Sequence, residues 1–158
     1  MFQHSPFLYL FREREEKFQM SYARRWRMRS YDWFDNCFLG GVKAIINAAE
    51  KDGITICGPN GEGKPKISFG NVMFNGSKEK NEDYEAFGIG RCSNTNYDFC
   101  KTARLPYDSV VGAVLKLALE YGYVYNVGSD GDNEEAEVDK LYRIGKEVAD
   151  GIWHDLPY

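Results

Sequence analysis

Histidine is almost absent from this chain. Its 158 residues include only two, His4 and His154. That excludes an imidazole-rich metal centre. It also leaves any Ser–His or Cys–His pair in residues 20–158 dependent on His154, close to the end of the chain beside Trp153. Cysteine is sparse too, at Cys37, Cys57, Cys92 and Cys100. There is no CxxC, and the gaps of 19, 34 and 7 residues match no common zinc motif. Four cysteines allow two disulfides, but nothing near Met1 reads as a secretory signal. Phe7–Phe11 is apolar without a basic stretch before it or a small-residue cleavage site after it. The expectation is reduced, mostly buried thiols and a cytoplasmic protein. No apolar run approaches the roughly 20 residues that span a bilayer, so no membrane partner is expected. No interior Pro/Ser-rich linker marks a domain boundary.

Aromatics are abundant, with 11 Tyr, 10 Phe and 3 Trp. Such a chain has the means to bury a core, and its length favours one domain. The formal charge of −4 is unevenly spread. Residues 1–79 hold 12 Lys/Arg against 9 Asp/Glu, and residues 80–158 hold 8 against 15. An acidic whole disfavours nonspecific DNA binding, yet the first half leaves room for a basic patch.

Residues 1–19 differ in character from the rest of the chain. An apolar stretch leads into the charge run Arg12–Lys17, and Met20-Ser21-Tyr22 reads as a natural start. Two readings stand: a translated leader or flexible arm, or an amphipathic helix preceding a globular domain over 20–158. Within that domain the pattern predicts α-β-β-β-α-β-α. Helices are expected over 31–51, 106–121 and 135–153, from apolar residues at helical spacing and glycine stops at Gly53 and Gly122. Strands are expected over 54–57, 66–74 (bent near Gly70), 84–89 and 123–127. Short connections imply an α+β fold with a mainly antiparallel sheet of about four strands and three helices packed on it.

Gly58-Pro59-Asn60-Gly61-Glu62-Gly63-Lys64 resembles the Walker A loop of ATP-binding cassette proteins. That loop needs a hydroxyl after the lysine and a helix starting there. Pro65 supplies neither hydroxyl nor N–H, and Lys66-Ile67-Ser68-Phe69 reads as strand. The segment is expected to be a glycine-rich turn between strands, with no nucleotide cofactor.

Asp130-Gly131-Asp132-Asn133-Glu134-Glu135 invites a calcium reading. The sixth and twelfth positions, Glu135 and Leu141, are wrong for an EF-hand. Carboxylates preceding a helix are favoured by its dipole. A third reading, a small metal-dependent hydrolase, would use the acidic 130–139 stretch.

Arg24-Arg25-Trp26-Arg27-Met28-Arg29 places four arginines around one indole. These residues could grip phosphates while Trp26 stacks on a base, or they could pair with the acidic half of the chain. Lys101, Thr102 and Arg104 precede a helix start whose first turn holds Asp108. Two readings stand there: an anion site, or an Arg104–Asp108 clamp fixing the loop.

The segment Cys100-Lys101-Thr102-Ala103-Arg104-Leu105-Pro106-Tyr107-Asp108, with Ser129-Asp130-Gly131 downstream, resembles a pattern in small uncharacterised proteins of bacteriophages and prophages. The resemblance covers roughly 98–132. It implies a phage or mobile-element origin and an accessory role in the host cytoplasm, with no activity or catalytic residues to carry over. The leading expectation is therefore a non-enzymatic protein-binding module acting on a host or phage protein. Its site is expected among Lys101, Thr102, Arg104, Asp108, Ser129 and Asp130. The second expectation is a nucleic-acid or nucleotide binder using Arg24, Arg25, Trp26, Arg27 and Arg29, or the Lys101/Arg104 position.

Overall fold

The computed structural model describes residues 20–29, 33–91, 97–131 and 135–155. The first strand among the described residues is β1, Ala23–Met28, and helix α1, Asn36–Lys51, comes after it. Three short strands come next: β2, Lys66–Ile67; β3, Asn71–Phe74; and β4, Phe87–Gly90. Then follow β5, Tyr97–Lys101; helix α2, Asp108–Glu120; strand β6, Val124–Ser129; and helix α3, Ala136–Asp155.

The α+β class is as expected, but the strands of the described residues, six in number, form two antiparallel sheets, not one. Their orders are β5-β1-β6 and β2-β3-β4. Strand β1 comes from the arginine-rich segment, which the sequence pattern had not marked as a strand. Its inward residues are Arg24, Trp26 and Met28, all buried. A charged residue at an inward position hides the alternation that normally betrays a strand. The 66–74 strand resolves into a hairpin, with the Ser68 N–H donating to the Asn71 carbonyl at 2.9 Å. Residues 54–57 contribute only one bridge, Cys57 to Asn75. Strand β5 lies where the sequence pattern placed no element.

Helix α1 starts later than its periodicity implied. Asp35 sits in extended backbone and accepts the Phe38 N–H at 2.7 Å, a side-chain cap that fixes the start of the helix there. Asp35 also accepts the Tyr123 hydroxyl at 2.7 Å, tying α1 to the start of β6. Helices α1 and α3 pack closely because Gly41 meets Gly145. A Cβ at Gly41 would lie 2.8 Å from the Gly145 carbonyl oxygen. Trp26 joins the two sheets, its ring 5.2 Å from that of Phe87. The buried apolar side chains of both sheets and of helices α1, α2 and α3 form one continuous cluster. No helix among the described residues is long and apolar enough to cross a membrane.

The 58–64 segment is a turn, though it leads from the Cys57 bridge into β2. The Gly58 N–H donates to the Glu62 and Gly63 carbonyls, and the Gly61 N–H to the Gly58 carbonyl. These amides are consumed inside the loop, whereas a phosphate cradle presents them to the ligand. The buried Asn75 side chain anchors the segment, donating to the Pro59 and Tyr84 carbonyls at 3.1 and 2.9 Å.

Candidate binding cleft at the starts of helices α2 and α3

Strand β1 aims Arg24 inward at the point where α2 and α3 both begin. The guanidinium donates from Nε and Nη2 to the two oxygens of Asp108, at 2.8 and 3.0 Å, and from Nη2 to Glu135 at 2.8 Å. Thr102, fully buried, donates its hydroxyl to Asp108 Oδ1 at 2.6 Å. Helix α2 admits the guanidinium because Gly112 has no side chain; a Cβ there would lie 2.8 Å from Arg24 Nη1. Burial alone would lower the pKa of Arg24. The hydrogen bonds and charge of Asp108, with Glu135 adding, override it and hold that pKa above its usual value. The charge is thus satisfied within the fold.

The expected clamp exists, but its cation is Arg24 and not Arg104. Arg104 is held elsewhere by an unusual turn. The Leu105 N–H donates to the Thr102 carbonyl at 3.0 Å, closing a four-residue turn. Its central residues, Ala103 and Arg104, have φ of 54° and 55°. Both positions lie in the left-handed region, as in a type I′ turn, where Asn and Gly are the usual occupants. Each non-glycine residue held there costs about 1–2 kcal/mol. The turn is pinned from outside, since the Thr102 N–H donates to the Tyr22 carbonyl at 3.2 Å. It places the Arg104 guanidinium 4.4 Å from the centre of the Tyr22 ring. Among the described residues Arg104 has no ion-pair partner.

Arg104, Tyr22, Asp108, Ser109, Gly131 and Glu135 line an open cavity of about 310 Å³. Its floor is the satisfied Arg24 cluster and its rim carries Arg104. Of the six residues expected at this site, Arg104 and Asp108 line the cavity and Thr102 supports Asp108 from behind. Lys101 is exposed at the end of β5 and stays outside. Ser129 donates its hydroxyl to the Gly131 carbonyl at 3.1 Å, shaping the wall. Asp130 accepts the Ala23 N–H at 3.0 Å and pairs with Arg25. It is a fastener of β1 to the β6 end.

Sequence reasoning missed Tyr22, Ser109 and the partnership of Arg24 with Glu135. The inward phase of Arg24, two residues before Trp26, was the available signal. Trp26 is 1% exposed and sits in the core, so it cannot stack on a base as expected. Arg24, 5% exposed, is equally removed from any phosphate.

The described carboxylates of the acidic stretch do not gather. Asp130 is engaged by β1, Asp139 pairs with Lys116, and residues 132–134 lie outside the described residues. Among the described residues no three His, Cys, Asp or Glu side chains cluster to hold a metal. Cys37, Cys57 and Cys100 are free thiols, and Cys92 lies outside the described residues. Burial pushes the Cys100 thiol up to about 12, with the Glu85 charge adding, which keeps it protonated and un-nucleophilic. His154 is exposed on the last turn of α3.

No family model, curated protein or solved structure matches this chain.

Proposed function

We propose that this chain is a non-catalytic protein-binding module whose recognition site is the Arg104 cleft. One observation carries the reading: the guanidinium of Arg104 stands on Tyr22 at a cavity mouth, on a strained turn, without an ion-pair partner among the described residues. A fold that spends conformational energy to hold a cation at a rim, while neutralising the neighbouring Arg24 completely, is organised to present that cation. The cavity has room for one or two side chains. A carboxylate from a partner's acidic side chain or chain end would meet Arg104 in bidentate fashion and seal the mouth. The resemblance to small phage-encoded proteins favours a host or phage protein as that partner.

The test is capture from a host lysate with the wild type and Arg104→Gly in parallel. The expected result is one species recovered at near-stoichiometric yield by the wild type and lost with the variant. Recovery of nothing, or equal recovery by both proteins, contradicts the proposal.

A further inference from the structure

We infer that the outer face of the β5-β1-β6 sheet is a platform for single-stranded nucleic acid, distinct from the Arg104 cleft. The pairing register sorts the arginines of β1 by side. Arg24 opposes the buried Cys100, and Met28 opposes the buried Val124, so these face the core. Arg25 opposes Phe99, Arg27 opposes Tyr125, and Ala23 opposes Lys101 on the other face. Paired residues in an antiparallel sheet point to the same side. Arg25, Arg27, Phe99, Lys101 and Tyr125 therefore share the outer surface. Arg29 joins them with its guanidinium 5.0 Å from the Tyr125 ring centre. Arg27, Arg29 and Lys101 are exposed, and Phe99, on the edge strand β5 beside Arg25, is 52% exposed.

An exposed phenylalanine beside Arg25, Arg27 and Lys101 on the outer face of a sheet has no structural explanation in the core. It matches what a single strand offers: phosphates for the cations and unstacked bases for the ring. The acidity of the whole chain does not oppose this. Helix α2 packs on β1 and β6, and α3 packs on α1 and α2. The carboxylates of α3 thus lie behind the sheet, while Asp130 remains on the Arg25 side as a local counter-charge.

The experiment is fluorescence anisotropy of a labelled oligouridine and oligothymidine, each of about 20 nucleotides, long enough to cover a site of several bases. With Arg27, Arg29 and Lys101 on phosphates, the slope of log K against log salt should be about −2. Phe99→Ala should weaken binding about tenfold and Arg27→Ala/Arg29→Ala more strongly, with unchanged circular dichroism in both variants. Arg104→Ala should bind as the wild type. No anisotropy change at low salt overturns the inference. So does binding that survives both sheet-face variants, binding lost with Arg104→Ala, or tighter binding to the matching duplex. Loss through Arg104→Ala would move the nucleic acid to the cleft, whereas failure of the sheet-face test leaves the protein-binding reading of the cleft standing.

Discussion

Arg24 and Asp108, 84 residues apart, meet through two parallel hydrogen bonds of 2.8 and 3.0 Å, and the pair lies at the junction of β1, α2 and α3. Both side chains are shielded, at 6% and 13% exposure. A buried pair is costly to break because the survivor keeps its charge without compensation. Arg24→Met should therefore destabilise the fold by about 3–5 kcal/mol, and adding Asp108→Leu should recover much of the loss. Urea midpoints of the single and double variants measure this. A single variant within about 1 kcal/mol of wild type would show that the pair does not hold the junction.

The left-handed turn gives a second expectation. Ala103 carries its strain without a functional side chain, so Ala103→Gly should relieve it. The expected gain is about 0.5–1 kcal/mol, the steric relief less the extra freedom glycine has in the unfolded chain. A higher urea midpoint with an unchanged denaturant slope would agree; a lower midpoint would not.

Alkaline pH provides a third. Burial, with Glu85 adding, lifts the Cys100 thiol from 9.0 to about 12. Burial and the hydrogen bond to Asp35 lift the Tyr123 phenol from 10.0 to about 12. The folded state holds both protons more tightly than the unfolded one. Their contribution is fully present below the unfolded values of 9.0 and 10.0 and is lost as pH rises toward about 12. Stability should be flat near neutrality and fall above about pH 9, with Cys100→Ala shallower than wild type. A wild-type profile flat to about pH 11 would contradict the assigned burial.

These features show why the sequence was legible in parts. The three helices follow from apolar residues at helical spacing, and only Asp35 and Pro106-Tyr107 shift their starts. The glycine-rich 58–64 turn was readable because Pro65 forbids the alternative. Strand β1 was not readable, since Arg24 occupies a core position through a partner 84 residues away. The same long-range pairing misassigned the clamp: Arg104 is nearer Asp108 in sequence, but the reversed turn at Ala103–Arg104 swings it onto Tyr22. Local spacing carries no record of a residue that reaches across the fold.

On the proposed reading, Arg104 is held in its turn for recognition and not for folding. The most direct test is the urea denaturation of Arg104→Gly against wild type. Relief of the left-handed backbone, about 1 kcal/mol after glycine's added freedom, should offset the lost stacking on Tyr22, itself worth about 0.5–1 kcal/mol. The predicted midpoint is equal to or above that of the wild type. A loss of about 2 kcal/mol or more would mean that Arg104 supports the fold and is not held for recognition.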